Sequence, residues 1–150
     1  MNSARRIEVT ARTAIKARPQ CVFEWISDPE RVPLWIKDLV ESRPDSVHKP
    51  LEQGARSIEV LQVGRSQLEV PAEVTAVEVN RLAENRLDLP EGPCTSRVTI
   101  IETSTGCIVT QTMTAAFTSM RWVPSVILAK MLSHRLRGDL HRLKTLIESR

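Results

Sequence analysis

Residues 125–148 read SVILAKMLSHRLRGDLHRLKTLIE and carry the clearest pattern in the chain. Apolar side chains recur every three or four residues, which keeps them on one face of an α-helix. These are Leu128, Leu132, Leu136, Leu140, Leu143 and Ile147. At a rise of about 1.5 Å per residue, such a helix is about 35 Å long, comparable to the width of a small domain. We therefore predict a long amphipathic helix that crosses the body of the protein.

The region before this helix has the pattern of a β-sheet. Residues 6–17 alternate apolar and polar side chains, as in Ile7-Glu8-Val9, which is typical of a half-buried strand. Further short segments follow, separated by Gly, Pro, Asn and Ser residues that favour turns. They lie at 39–48, 55–63, 67–79, 82–89, 95–103 and 107–118. With the first strand they predict a seven-stranded antiparallel sheet.

Two local signals bear on the geometry of this sheet. Ser104-Thr105-Gly106 predicts a three-residue hairpin loop, with glycine where the backbone needs a positive φ. The strands on either side should therefore be antiparallel neighbours. Pro71 lies inside an otherwise convincing strand and has no N–H to donate to the ladder, so we expect a bulge there.

Two short helices are predicted between the first and second strands. Pro19 opens a helix over residues 19–27, which ends at Asp28-Pro29. A second helix is predicted over residues 29–36, because its apolar residues have helical spacing. The complete order is one strand, two helices, six strands and one long helix, which is an α+β fold.

Length and composition limit the class of protein. The chain of 150 residues has the size of one domain, which we assign to residues 1–150. Apolar residues make up 41% of it, unlike the composition of a disordered chain. No export signal is visible, and no uncharged apolar stretch approaches the roughly 18 residues that span a bilayer. We expect a cytoplasmic protein without an integral membrane segment.

The residues that usually hold metals or cofactors form no recognisable motif. Cys21, Cys94 and Cys107 are an odd set without C-x-x-C spacing, which predicts reduced thiols and no zinc site. The sequence contains no glycine-rich phosphate loop, G-x-S-x-G or H-E-x-x-H motif. We therefore predict no metal and no cofactor.

The chain resembles a known superfamily in its order of elements and in two stretches. One is the segment from Pro19 to Trp35, which includes VFEWISDPERVPLW, and the other is the tail that begins at Gly138-Asp139-Leu140. Both are similar to the START/polyketide-cyclase-like superfamily, across essentially the full chain. The resemblance implies the helix-grip fold, with a deep ligand cavity between the concave face of the sheet and the C-terminal helix, capped by the two short helices and the hairpin loops. It implies no shared catalytic motif, because members include carriers, receptors and cyclases.

The strand at 107–118 supplies the best polar candidate for such a cavity. Its alternation places Thr110, Thr112 and Thr114 on one face and Gln111 and Met113 on the other, which should face inward. An inward glutamine needs an internal hydrogen-bond partner, a water or a ligand. The residues predicted to line the cavity are Trp35, Gln111, Met113, Leu128, Met131 and Leu132. For Trp35, as for Trp25, ordinary packing between helix and sheet is the alternative.

Asp139 is the second candidate for chemistry. On a helical wheel it falls inside the apolar arc of the C-terminal helix. A buried carboxylate without a partner is costly, so we favour a structural ion pair with Arg135 or Arg142. The alternative is a catalytic group in the cavity with a raised pKa. His134 and His141 lie on the polar face of the helix and are expected to face water.

The C-terminal end is basic. From Arg121 onward the chain has seven Lys or Arg residues, at 121, 130, 135, 137, 142, 144 and 150, against two acids. Most such charge runs are solvated faces, and this one lacks the interleaved aromatics of nucleic-acid sites. We expect no nucleic-acid partner and at most a weak contact with an acidic surface.

These observations leave three functions open. The favoured one is a carrier or binding protein for a small hydrophobic molecule, such as a lipid, an isoprenoid or a polyketide. The second is a cyclase, dehydratase or aromatase that uses Gln111 or Asp139 to steer protons. The third is an interaction module that docks through its basic C-terminal helix. The identity of the ligand and the oligomeric state are left open.

Overall fold

The order of helices and strands is the one that the hydrophobic patterns predict. The computed structural model describes residues 5–45, 51–117 and 123–149. The elements are β1 (Arg5–Ile15), α1 (Pro19–Ser27), α2 (Val32–Trp35), β2 (Leu39–Pro44), β3 (Arg56–Val63), β4 (Ser66–Glu78), β5 (Leu82–Leu89), β6 (Gly92–Thr103), β7 (Gly106–Phe117) and α3 (Ser125–Glu148).

The seven strands form one antiparallel sheet in the order β1-β7-β6-β5-β4-β3-β2. Neighbours in the chain are neighbours in the sheet from β2 to β7, because short turns join them. The exception is β1, which pairs with β7 in a continuous register that sets Ile7 opposite Ala115 and Ile15 opposite Cys107. The chain then passes through α1 and α2 to reach β2 at the far edge. The predicted α+β helix-grip architecture is confirmed.

One face of the sheet, called the inner face below, packs against all three helices. Ile7, Val9 and Ala11 of β1 and Val109 of β7 are buried there with Val98 of β6. The leucine stripe of α3 completes the core, with Leu136, Leu140 and Leu143 at most 1% exposed. Burial of this stripe fixes α3 on the sheet, because packing against the inner face removes the apolar face of the helix from water.

Polar contacts anchor the end of α3 to the end of β1. The Lys144 ammonium donates to the Ala14 carbonyl at 2.6 Å and to Glu148 Oε2 at 2.8 Å. The backbone N–H of Lys16 donates to the same Glu148 oxygen at 2.9 Å. The hydrogen bonds that Glu148 accepts from Lys144 and from Lys16 lower its pKa below the usual value. The orientation of α3 is therefore set by hydrogen bonds as well as by apolar packing.

Three local predictions differ from the structure. The β3–β4 register runs through Pro71 without interruption, and the bulge lies at Thr75, between the β4–β5 pairs of Val74 and Ala76. Pairing of β4 with β5 begins at Ala72, so Pro71 has only one paired neighbour and needs no bulge. The helix predicted over 29–36 is the shorter α2, because residues 28–31 form a turn in which Asp28 accepts the Glu30 N–H.

The β6–β7 connection is a two-residue hairpin rather than the predicted three-residue loop, since Thr103 pairs with Gly106. The predicted antiparallel neighbours are confirmed, and Gly106 has a φ of +155°. A Cβ atom at this position would lie 2.2 Å from the carbonyl oxygen of Ile15. Glycine is therefore needed for the close approach of β7 to the end of β1. Residues 46–48 and 118, predicted as strand ends, lie outside the described residues.

Candidate functional site

A cavity of about 110 Å³ lies between the inner face of the sheet and the hairpin of α1 and α2. Its apolar side comes mainly from the hairpin and the chain around it: Ile26, Pro29, Val32, Trp35, Ile36 and Leu51. Val74, Ala83 and Val98 add apolar surface from the sheet. No residue of α3 lines this cavity among the described residues. The hairpin, which the resemblance implied as a cap, therefore walls this cavity, whereas the C-terminal helix, which it implied as the other wall, does not line it.

The sheet side of the cavity carries a row of polar side chains, called the polar row below. Its members come from five strands: Ser42, Ser57, Glu59, Asn85, Ser96 and Gln111. The pairing explains the row, because Ser42 lies opposite Glu59 and Asn85 lies opposite Ser96. Residues paired across antiparallel strands share a face of the sheet. The cavity is therefore apolar on one side and polar on the other.

Gln111 is buried at 2% exposure, as its position on the inner face requires. Its Nε2 donates to Ser96 Oγ at 3.1 Å across the β6–β7 pair. Its Oε1 is buried and accepts no hydrogen bond from the described residues. An amide oxygen in that state is an unused acceptor, and it belongs to a residue that lines the cavity.

Glu59 is the acidic member of the polar row and was not singled out by the sequence. Ser57 Oγ donates to its Oε1 at 3.2 Å, while its Oε2 is buried without a partner among the described residues. Burial raises the pKa of Glu59, and hydrogen bonds from Ser42 and Ser57 oppose that rise. The cavity therefore contains a carboxyl group that no cation of the described chain neutralises.

The two tryptophans lie in the core, and Trp35 also lines the cavity. Trp35 is 2% exposed and its Nε1 donates to the Trp25 carbonyl at 3.0 Å, which ties α2 to α1. Trp25 does not line the cavity, and its ring lies 5.2 Å from the guanidinium carbon of Arg31. Trp35 thus forms part of the cavity wall as well as joining the helices.

Asp139 lies outside the cavity and binds the chain segment that follows α2. Its buried Oδ1 accepts the backbone N–H of Lys37 at 3.0 Å and pairs with the Arg142 guanidinium. Arg142 also donates from Nε to the Trp35 carbonyl at 3.1 Å. Burial raises the pKa of Asp139, while the Lys37 and Arg142 contacts lower it. Through Oδ1 the carboxylate fixes the hairpin to α3, and this set of contacts is called the Asp139 clasp below.

A separate open groove of about 540 Å³ runs along α3. Leu128, Met131 and Leu132 line it together with Lys37, Arg135 and Arg142. Of the six predicted ligand residues, Trp35 and Gln111 therefore meet at the cavity, and these three α3 residues meet at the groove. Met113 packs against the core and lines neither. Trp35 and Ile36 border the cavity and Lys37 borders the groove, so the residues just after α2 lie between the two spaces.

The two described histidines and the three cysteines lie outside the cavity. His134 and His141 are exposed, and His134 borders the groove along α3. The third histidine, His48, is outside the described residues. Burial raises the pKa of the Cys94 thiol to about 11, which makes it a poor nucleophile at neutral pH. Within the described ranges no group of three His, Cys, Asp or Glu side chains is placed to hold a metal ion. No helix there has the length and apolar character to cross a bilayer.

The basic residues of α3 are largely used inside the protein. Arg135 pairs with Asp38, Arg142 with Asp139, and Lys144 with Glu148. Lys130 and Arg137 are exposed, with no ion pair to other described residues. The free positive charge on the described part of this helix is therefore smaller than its composition indicates.

Comparison with known families matches residues 6–148 to the family described as polyketide cyclase / dehydrase and lipid transport. The chain belongs to this family. The match covers nearly the whole sequence and confirms the resemblance seen in the Pro19–Trp35 segment and the C-terminal tail. The polyketide cyclase / dehydrase and lipid transport family is named for both catalytic and carrier members. A comparison with curated proteins finds no match.

Several solved structures share the fold of this chain. A Staphylococcus aureus protein of unknown function superimposes with a TM-score of 0.79 at 14% identity, over 97% of this chain and 96% of its own. Ara h 8.0201 gives 0.74 at 10% identity, over 97% and 100%. The di-domain ARO/CYC protein StfQ from the steffimycin biosynthetic pathway gives 0.76 at 11% identity, over 96% of this chain and 51% of its own. At such identities the likeness shows the fold alone.

Proposed function

We propose that the protein is a carrier or binding protein for a small hydrophobic molecule held against the inner face of the sheet. The observation that carries this proposal is the cavity under the α1–α2 hairpin, with its apolar wall and its polar row. Pockets for small molecules commonly combine an apolar lining with a few polar groups that fix orientation. The family name, which includes lipid transport, supports the same class of function.

The volumes bear on the size of the ligand. A cavity of about 110 Å³ suits a body near the size of one ring, since an engineered apolar cavity of about 150 Å³ binds benzene. A lipid, isoprenoid or polyketide chain is longer. The groove along α3, at about 540 Å³, falls in the range of drug-sized pockets. A longer ligand would place its head in the cavity and its tail in the groove, past the segment held by the Asp139 clasp.

The second candidate function is a cyclase or dehydratase that uses the same cavity. Glu59 favours it, because a cavity carboxyl group with a raised pKa suits general acid–base chemistry. Asp139 is a weaker candidate for that role, since its carboxylate is engaged by Lys37 and Arg142 outside the cavity. The binding function needs fewer assumptions. A cytoplasmic location is part of the proposal and fits the three free cysteines.

The test is native followed by denaturing mass spectrometry of the purified protein. We expect a small hydrophobic adduct that is released on unfolding. Asn85→Phe, which fills the cavity from β5, should abolish the adduct. Arg86→Phe should keep the adduct, because Arg86 is the next residue of β5 and lies on the opposite face of the strand. The substitution removes the half-exposed ion pair with Asp88, which contributes little to stability.

Two results would count against this proposal. An adduct that Asn85→Phe retains, in a variant whose circular dichroism is native, would place the ligand outside the cavity. Supply of the recovered compound to fresh protein separates the two functions. A carrier returns it unchanged, a dehydratase returns a product lighter by one water, and a cyclase returns an isomer of the same mass with a different chromatographic retention.

A further inference from the structure

The cavity contains two buried acceptor atoms that the protein does not use. Glu59 Oε2 and Gln111 Oε1 have no hydrogen-bond partner among the described residues, and both residues line the cavity. A buried acceptor left unpaired costs free energy comparable to a lost hydrogen bond. Two such atoms on one cavity wall indicate the chemistry of what fills it.

Two donors next to these acceptors are already engaged. Ser57 donates to Glu59 Oε1, and the Gln111 amide donates to Ser96. Arg56 also borders the cavity, but its guanidinium pairs with Glu73 at 3.4 Å and its side chain is 75% exposed. What this part of the wall offers a ligand is therefore acceptor capacity, with Glu59 as the strongest acceptor.

We infer that the ligand carries a hydrogen-bond donor on a ring-sized apolar body, and that Glu59 accepts from this donor while the body packs against Trp35. This inference rests on the proposed function and names the class of molecule that the cavity selects. The donor is a hydroxyl group or a protonated amine, since both can bond to a carboxylate. Gln111 Oε1 provides a second acceptor on the same wall, which favours a ligand that donates at more than one point.

The location of Glu59 explains why such a ligand would be selected. The carboxyl group sits opposite the apolar hairpin, so a ring that fills the space directs its substituent towards β3. A ring with an acceptor alone would place two acceptors together and leave Glu59 Oε2 unpaired. Selectivity then comes from the cost of that unpaired group as much as from the bond itself.

The test uses four ring compounds: phenol, benzylamine, anisole and toluene. Their dissociation constants for the full chain are measured by calorimetry or ligand-observed NMR at neutral pH. We expect phenol or benzylamine to bind about 10-fold more tightly than anisole and toluene, the difference expected for one hydrogen bond to a charged group. Tighter binding of phenol identifies a hydroxyl ligand, and tighter binding of benzylamine identifies an amine.

Glu59→Leu should remove this preference, so that phenol and anisole bind alike. Glu69→Leu is the matched control, because Glu69 on β4 is exposed on the face of the sheet opposite to Glu59. This variant should leave the preference intact. Thermal unfolding shows that each variant is folded. Equal binding of all four compounds to the natural protein would overturn the inference and leave the binding function standing. Binding of none would overturn both, and a preference that survives Glu59→Leu would remove Glu59 from the site.

Discussion

Replacement of Asp139 tests whether this buried carboxylate holds the fold together or does chemistry. Its side chain is 4% exposed, accepts the Lys37 N–H and pairs with Arg142. Asp139→Ala removes the acceptor and the charge together. Asp139→Asn keeps an oxygen for the Lys37 N–H and removes only the charge. The two variants therefore separate the hydrogen bond from the ion pair.

The structure sets the size of each effect. The hydrogen bond from the Lys37 N–H is partly buried, and leaving that N–H unsatisfied costs about 1–3 kcal/mol. Loss of the ion pair adds at most about 1 kcal/mol, because the Arg142 side chain is 41% exposed and water can solvate it. We expect Asp139→Ala to lose about 1–4 kcal/mol of stability, or about 2–16 °C in Tm for a domain of this size. Asp139→Asn should change stability by less than about 1 kcal/mol in either direction, because burial already raises the pKa of the natural carboxyl group and so offsets the loss of the ion pair.

The assay is thermal and urea unfolding at pH 7, followed by circular dichroism. Arg137→Ala is the control, since Arg137 is exposed on the same helix and should change stability by less than about 0.5 kcal/mol. The reasoning fails if Asp139→Ala is as stable as the natural protein. It also fails if Asp139→Asn abolishes ligand binding or turnover at unchanged stability, because that result would assign Asp139 to the cavity.

Three further predictions concern stability. Glu59→Gln should be more stable than the natural protein at neutral pH and equal to it below about pH 4. Because burial raises the pKa of Glu59, the natural protein loses stability as the pH rises from 4.5 to the pKa that Glu59 has in the folded state. Stability profiles of the two proteins that run parallel with pH would contradict this. Gly106→Ala should lose more than about 1 kcal/mol in urea unfolding, because its Cβ meets the Ile15 carbonyl; an unchanged midpoint would refute the close approach. Leu140→Ala should lose about 2–5 kcal/mol, against less than about 0.5 for exposed Val126→Ala; similar losses would show that the core is misplaced.

Two of the three helices, α1 and α3, could be predicted well because their signals are local. The leucine stripe of α3 and the proline that opens α1 each act within a few residues, and both helices have the predicted bounds. The bulge was misplaced because a proline in a strand is tolerated wherever one neighbour is unpaired, and pairing depends on the whole sheet. Local sequence around Pro71 carries no information on where β5 begins to pair.

The candidate site was predicted in part for a similar reason. Gln111 stood out because it interrupts an apolar face within its own strand, and it does line the cavity. Glu59 did not, because alternation along β3 gives Ile58 and Val60 the apolar face and leaves Glu59 for the solvent side. Register with β2 and β4 places Glu59 on the cavity side all the same, although Val60 next to it is only 2% exposed. The placement of the helices decides whether an apolar residue lines the cavity or packs in the core. The sequence therefore could not distinguish Met113 and Leu128, which do not line the cavity, from Trp35, which does.

The most direct test of the binding proposal is a crystal structure of the protein with its co-purified ligand, or with phenol where none is retained. We predict electron density between Trp35 and Glu59, with a polar atom of the ligand within hydrogen-bonding distance of Glu59 Oε2. Density confined to the groove along α3, with the cavity closed or filled by water alone, would contradict it.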